Sequence, residues 1–200
     1  SDNDAYYKNI FRNNGSGVAV MYSRNIIMAQ NRFEHNWGAA SYGLLLKEIN
    51  DSRIYKNIFN GNTTGIFMES SNRSQFLHNE IRQNGWALRI MGDCTDNAFR
   101  FNNFIGNTFD VSTNSSSSQN IFDRNYWDKY EGYDLNRDKI GDIPYHPVSL
   151  YGVLLEQLPY AIVLLHSLTV TLMDKAERSI PSLTPAAVID HHPRMQYAPL

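Results

Sequence analysis

The sequence predicts an all-β fold, a right-handed parallel β-helix of about six coils with a C-terminal helical appendage. Three observations support this prediction. A motif of asparagine, any residue, an aromatic or aliphatic residue, two free positions and a second asparagine occurs six times. A short apolar strand follows several of the copies, and the period is close to one solenoid turn. Leucine-rich repeats have a similar period, but these units lack a leucine framework.

The asparagine motif comes first along each coil. Its copies are separated by 22, 26, 22, 23 and 18 residues. A coil must turn sharply between strands, and asparagine tolerates left-handed backbone angles and forms local hydrogen bonds. Stacked asparagine amides can also bond to each other along the axis. The copies begin at Asn9, Asn31, Asn57, Asn79, Asn102 and Asn120.

The apolar strands after the motif predict the core. Residues two apart share one face of a strand, so alternate positions should point inward. One coil cannot bury its own core, so the strands must stack. The predicted columns are Val18, Leu44, Ile66 and Leu88, then Val20, Leu46, Met68 and Ile90, with Ala19, Leu45, Phe67 and Arg89 facing outward. The motif itself adds a column of Phe11, Phe33, Phe59, Ile81, Phe104 and Phe122.

The repeat ends near Asn125, which divides the chain into coils over residues 1–126, a loop over 127–147 and a helical segment over 148–200. A serine-rich stretch at 112–120 predicts a loop within the last coil. The later loop has oxygen-bearing groups spaced as in the first part of a calcium loop, which predicts a structural Ca²⁺ or Mg²⁺ site. These are Asp134, Asn136, Asp138, the Ile140 carbonyl and Asp142.

That loop departs from a calcium loop at two positions. Lys139 stands where an EF-hand needs glycine, and Tyr145 stands where it needs glutamate. The alternative is an Asp/Asn-rich turn that is held by its own side-chain hydrogen bonds. Both interpretations stay open from the residues alone.

The last segment predicts two helices, 150–158 and 160–178, that are separated at Pro159. The second helix is more apolar than a surface helix requires. It could cap the open end of the solenoid or dock onto a partner such as a membrane protein. The candidate docking residues are Leu154, Leu155, Ile162, Val163, Leu165, Leu168 and Leu172.

Composition excludes several classes of protein. The formal net charge is -2 and no basic block occurs, which disfavours nucleic-acid binding. A lone cysteine, Cys94, provides no disulfide framework. The longest apolar run, 160–173, is too short and too polar to span a bilayer. Because the chain opens in mid-pattern, we expect further coils in a longer natural protein.

Beyond the asparagine-rich coils, the run N-Y-W-D-x-Y followed by D-x-N-x-D-x-I-G-D-x-P-Y-x-P-V resembles the NosD family, as do the apolar helices and LTPAAVID at 183–190. The resemblance implies a periplasmic, non-enzymatic accessory protein for copper-centre maturation of nitrous oxide reductase. It also implies an ABC-type ATPase and permease as partners, with the C-terminal helices as the docking element and contact with the membrane only through the permease. Copper would pass transiently from a copper chaperone to the reductase.

Sulfur and imidazole ligands suit Cu(I), so the candidates for a copper site are methionine, cysteine and histidine. Met91 and Cys94 flank a turn, and His191, His192 and Met195 are close in sequence. A buried structural thiol is the ordinary alternative for Cys94. Met68 falls in an inward column and is expected to pack in the core. The sequence therefore leaves the copper ligands undefined.

Two other functions compete with the accessory role. A carbohydrate-active lyase, hydrolase or epimerase on the same fold would need carboxylates grouped on one face, whereas Glu48, Glu69 and Asp93 are scattered. A passive surface repeat protein would not need the apolar C-terminal helices. Fold alone does not decide between these functions.

Overall fold

The computed structural model describes residues 2–164, 167, 172–173, 175–176 and 187–200. The chain winds into a parallel β-helix, which confirms the predicted fold class. Three strands per coil build three parallel sheets, called here sheet A, sheet B and sheet C after the first, second and third strand of each coil. Sheets A and B have six strands each and sheet C has five.

The strands in chain order give five complete coils and two further strands, where the sequence predicted about six coils. The coils contain β1 (Ala5–Tyr7), β2 (Ile10–Arg12), β3 (Val18–Arg24); β4 (Ile27–Ala29), β5 (Arg32–Glu34), β6 (Tyr42–Asn50); β7 (Arg53–Tyr55), β8 (Ile58–Asn60), β9 (Thr64–Glu69); β10 (Gln75–Leu77), β11 (Glu80–Arg82), β12 (Trp86–Ile90); β13 (Ala98–Arg100), β14 (Asn103–Ile105), β15 (Phe109–Thr113); and then β16 (Ile121–Asp123) and β17 (Tyr126–Trp127).

The predicted columns of sheet C are confirmed. Val18, Leu44, Ile66 and Leu88 are in register along the axis, as are Val20, Leu46, Met68 and Ile90. The column in sheet B is also confirmed over its first five members, with Phe33 stacked on Phe59 at 4.7 Å between ring centroids. These side chains fill the interior of the coils.

The sixth motif was placed in the wrong register. Phe122 lies in sheet A and stacks on Phe99 at 4.6 Å, whereas Trp127 continues the sheet B column on Phe104 at 4.0 Å. The error arose because Asn120 and Asn125 have the motif spacing but turn a different corner of the coil. Asn125 is the residue that stacks on Asn102.

Asparagines form two long hydrogen-bonded ladders along the axis, and Asn97 and Asn120 continue a third ladder that begins with serines. In the first ladder, the backbone N–H and Nδ2 of each asparagine donate to Oδ1 of its equivalent one coil later, at 2.9–3.2 Å. This ladder runs through Asn9, Asn31, Asn57, Asn79, Asn102 and Asn125. The second runs through Asn14, Asn36, Asn62, Asn84 and Asn107. The asparagines are therefore architectural, as predicted.

The turns between strands use left-handed backbone angles at the same place in every coil. After each sheet A strand, one residue has φ between 52° and 57°. These residues form a corner between sheets A and B. The residue type differs from coil to coil because the backbone alone makes the turn. They are Lys8, Gln30, Lys56, His78, Phe101 and Arg124.

The C-terminal part differs from the prediction in two places. The serine-rich stretch is not loop throughout, because Ser112 and Thr113 belong to β15 and are buried. One α-helix, α1 (Leu150–Gln157), occurs where the first helix was predicted. The start of the second predicted helix is a 3-10 helix, Pro159–Leu164, and most of the remainder lies outside the described residues. Among the helices in the described part, none is long and apolar enough to cross a bilayer.

Candidate functional site at the C-terminal end of the solenoid

The first asparagine ladder ends on a carboxylate. The N–H groups of the last asparagine, Asn125, need an acceptor that no further coil provides. Oδ2 of Asp190 takes that place, accepting from Asn125 N at 3.1 Å, from Asn125 Nδ2 at 3.0 Å and from Trp127 Nε1 at 3.0 Å. Asp190 has no exposed surface. It therefore occupies the position of the next asparagine amide oxygen.

The backbone around Asp190 covers the open edges of sheets A and B. Asp190 forms a parallel bridge with Phe122 of β16, and Arg194 forms one with Tyr126 of β17. Asp190 also exchanges two backbone hydrogen bonds of 2.9 Å with Tyr145. The segment 190–194 thus imitates part of the coil that would follow β16 and β17, which protects two edges that could otherwise pair with another chain.

Beside the end of the second ladder, a lysine replaces backbone donors. Within the solenoid, the carbonyls of ladder asparagines and of the residues after them accept N–H groups of the next coil. At the last coil, Lys129 Nζ donates instead to the carbonyls of Asn107 and Thr108, at 2.7 and 3.1 Å. Its ammonium also lies 3.4 Å from Oδ2 of Asp110. Burial raises the pKa of Asp110, while the positive charge of Lys129 opposes that rise.

The edge of sheet C is covered by the segment that leads into α1. Val111 N donates to Pro147 O, and the Ser149 hydroxyl caps α1 by accepting from Gly152 N at 3.0 Å. Leu155 of α1 is buried in a small cluster of its own against the last coil, and Leu154 packs against that cluster. The first helix therefore caps the solenoid, one of the two roles left open by the sequence. Its cluster consists of Phe109, Tyr151 and Leu155.

An apolar surface follows this cap. Tyr160 is 90% exposed and Val163 is 86% exposed, and Leu158, Leu164 and Leu172 are also exposed. Of the predicted docking residues, Val163 and Leu172 are thus accessible, whereas Leu155 is buried under the cap. Leu165, Leu168 and the side chain of Ile162 lie outside the described residues. We call Leu158, Tyr160, Val163 and Leu164 the apolar end surface.

The oxygens of the predicted cation loop face their own backbone. Asp134 accepts from the N–H groups of Asp138 and Lys139, and Asp138 Oδ1 accepts from Ile140 N. Asn136 Oδ1 accepts from Asp138 N, and Asp142 Oδ2 accepts from Leu135 N. These hydrogen bonds are those of the Asp/Asn-rich turn, and the cation site stays a prediction.

Cys94 and Met91 share a turn in which the Cys94 N–H donates to the Met91 carbonyl at 3.0 Å. The thiol is buried, accepts from Ser71 N at 3.5 Å, and takes the place that the Ser71 hydroxyl has one coil earlier. Burial raises the pKa of Cys94 to about 11. Copper binds the thiolate, so this environment is unfavourable for a Cys94 ligand.

The two histidines are exposed beside the cap. His192 Nδ1 lies 2.8 Å from Asp123 Oδ1, and the ring centroids of His191 and His192 are 6.5 Å apart. Met195 is held by a backbone hydrogen bond to Lys139. Over the described residues, no group of three or more histidine, cysteine or acidic side chains can hold a metal ion.

The carboxylates considered for an enzyme remain separate. Glu69 pairs with Lys47 at 3.0 Å, and Asp93 accepts hydrogen bonds from Ser70. Glu48 is exposed and has a left-handed backbone angle within β6. These three side chains do not form one group.

Comparison with known proteins supports the resemblance seen in the sequence. Residues 1–135 match the family model described as periplasmic copper-binding protein (NosD). The chain belongs to the NosD family. The description of this family places it in the periplasm, which is the location that the resemblance implied.

Two curated relatives of the NosD family carry the name "Probable ABC transporter binding protein NosD". The protein from Stutzerimonas stutzeri is 29% identical over 196 residues, covering 89% of this chain and 44% of the relative. The protein from Pseudomonas aeruginosa is 29% identical over 173 residues, covering 78% of this chain and 40% of the relative. This NosD chain therefore spans less than half the length of either relative.

Sequence reasoning missed the residues that close this NosD solenoid. Asp190 was noted only as the last letter of a family-like run, and Lys129 and Asp110 were not singled out. A usable signal existed for Asp110, because the equivalent positions in earlier coils are Gly43, Gly65 and Ala87. A carboxylate at a position kept small elsewhere indicates the last coil.

Proposed function

We propose that this protein is a periplasmic accessory protein that handles copper for an ABC-type transporter complex, and that this complex serves the assembly of the copper centres of nitrous oxide reductase. In this role the chain catalyses no reaction. Membership of a family described as periplasmic copper-binding supports the copper-handling part. The names of the two relatives support the association with an ABC transporter.

The observation that carries the proposal is the apolar end surface. Tyr160 and Val163 are almost fully exposed, yet they follow directly on α1, which is packed on the last coil. Exposed apolar groups on a rigid support are typical of interaction sites rather than of a solvated end. The partner in this proposal is the permease of the transporter, with the ATPase on its other side.

Copper in this proposal is cargo that is carried by partners. Among the described residues no cluster of metal ligands is present, and the Cys94 thiol is buried with a raised pKa. The role of this part of the protein is then to bring a copper chaperone and nitrous oxide reductase to the transporter. The solenoid would act as a rigid platform between them.

The test is co-purification of the ATPase–permease pair with the full-length protein. Deleting the whole helical segment would also expose Phe109 and damage the cap. Point variants on the apolar end surface test docking without removing the cap. We expect the double variant Tyr160→Ser, Val163→Ser to lower the recovered permease at least tenfold without changing the melting temperature. Leu135→Ser, which changes a residue 79% exposed on the loop, is the control.

In cells that make nitrous oxide reductase, the same double variant should lower the copper content of the enzyme, and Leu135→Ser should not. Full recovery of the permease with the double variant would exclude this surface as the docking site. Normal copper content together with lost docking would separate the transporter association from copper-centre assembly.

A further inference from the structure

The solenoid carries its unpaired cations on one side. On the other faces, arginine and lysine side chains meet a carboxylate at 2.6–3.4 Å, mostly one coil away, as in Arg12–Glu34, Lys47–Glu69 and Arg73–Asp51. Arg89 stacks on Phe67 and Trp86. Five exposed cations of the coils have no carboxylate within 4.0 Å in the described part of the chain, namely Lys8, Arg53, Lys56, Arg100 and Arg124.

All five belong to sheet A or to the corner that follows it. Arg53 and Arg100 lie on the outer face of β7 and β13, and the other three lie on the A–B corner at left-handed turn residues. Since neighbouring parallel strands are about 4.8 Å apart, Lys56 and Arg124 are separated by about 14 Å along the axis. Asp123, the acidic neighbour of Arg100 in the register, is engaged by His192. We call the five residues the cationic ridge.

A cleft opens beside the middle of this ridge. It has a volume of about 300 Å³ and is lined by Lys56, His78, Phe101, Asn103 and residues 198–200. The rings of His78 and Phe101 stack at 5.2 Å and form one wall. Burial lowers the pKa of His78, and the positive charges of Arg194 and Lys56 lower it further.

From this charge pattern we infer that the cationic ridge and its cleft form a binding surface for an acidic, extended segment of a partner protein. Elsewhere most cations of the described coils pair with carboxylates, so the ridge is the row of cations that remains available to an acidic ligand. A row of cations along a narrow corner fits a linear acidic chain, whereas a lipid surface would need a flat basic face. The stacked rings give the cleft an apolar wall for the side-chain stems of such a segment.

The test uses the full-length protein and a fluorescent peptide of ten aspartates, with binding followed by anisotropy at low and high salt. We expect binding that weakens as salt rises, because exposed charges are screened. The double reversal Lys56→Glu, Arg100→Glu should raise the Kd at least tenfold, and Lys56→Gln, Arg100→Gln should raise it less.

The matched control is Arg24→Glu, Lys47→Glu, which makes the same change of charge at cations that are already paired on other faces. It should leave the Kd within about twofold. Equal weakening by both reversals would mean that the peptide senses only net charge, and would overturn the proposal. So would an absence of peptide binding, including the case in which vesicles rich in phosphatidylglycerol bind instead.

Discussion

At the scale of the residue, the ends of the asparagine ladders are the most demanding positions. Each rung donates toward the C-terminal end, so the last rung has donors in excess. Asp190 Oδ2 is the acceptor for two donors of that rung and for Trp127 Nε1, and its other oxygen accepts from His192 N. A buried donor without a partner costs about 1–3 kcal/mol, which explains why a fully buried carboxylate is tolerated here.

Substitution of Asp190 should separate its hydrogen bonds from its charge. Asp190→Ala removes the acceptor of Asn125 N, of one Nδ2 hydrogen of Asn125 and of Trp127 Nε1, and we expect it to lower the free energy of unfolding by at least about 3 kcal/mol. Asp190→Asn restores the oxygen that every other rung uses, and should cost about 1 kcal/mol. Urea unfolding followed by tryptophan fluorescence measures both.

Equal loss for the two Asp190 variants would show that the charge, rather than the acceptor geometry, stabilises the end of the ladder. Little loss for Asp190→Ala would mean that the last rung does not need its acceptor.

The same residue marks the limit of sequence prediction. The ladder within the coils could be predicted because its partners recur at a fixed interval. Asp190 lies 65 residues beyond Asn125, outside any repeat, so no local pattern connects the two. The contact arises only once the chain has folded back across the end of the solenoid.

At the scale of the element, the strands were predictable where the period was strict. The columns in sheets B and C followed from alternation alone. The sixth motif was predicted in the wrong register because successive corners of a coil lie five residues apart and favour asparagine alike. The serine content of this stretch predicted a loop at Ser112 and Thr113. Composition does not show that these residues are buried beneath the cap. Pro159 separates the helix at 159–164 from α1, as predicted, but this helix is 3-10 where the sequence predicted the start of an α-helix.

The helix α1 is a separate element in energetic terms, because its cluster is distinct from the solenoid core. We expect Leu155→Ala to lower the free energy of unfolding by about 2 kcal/mol. This value is at the low end for leucine-to-alanine substitutions in protein cores because the cluster is small. Hydrogen exchange should become faster at the amides of Val153 and Leu158, which donate within the helix, and stay unchanged in β9 and β12.

For that helix, Leu158→Ala is the control. Leu158 is exposed, and substitutions of exposed residues change the free energy of unfolding by no more than about 0.5 kcal/mol. Faster exchange throughout the solenoid in Leu155→Ala would contradict the separation of the two clusters.

At the scale of the whole molecule, stacking makes every coil depend on its neighbours, so the closed end and the paired charges act on the stability of all of them. The cross-coil ion pairs are mostly exposed and contribute little individually. Glu34 is one exception, because its carboxylate is 5% exposed and is held by Arg12 and Arg32 at 2.8 and 2.6 Å. Its charge should therefore control the response of the solenoid to acid.

That response has a definite sign. Burial tends to raise the pKa of Glu34, but the hydrogen bonds from Arg32 and Arg12 outweigh it, so the pKa lies below the usual 4.5. A lowered pKa gives stability that is present above pH 4.5 and is lost as the pH falls through the folded value. We expect Glu34→Gln to be about 1–3 kcal/mol less stable than the native protein at pH 6, with the difference shrinking toward pH 3.

Asp110→Asn is the contrasting variant. Because burial raises the pKa of Asp110, the negative charge of the native residue costs stability at pH 6, and Asp110→Asn should be equally or more stable there. Urea unfolding at several pH values measures both, and a loss for Glu34→Gln that persists unchanged at pH 3 would show that packing, not charge, makes Glu34 stabilising.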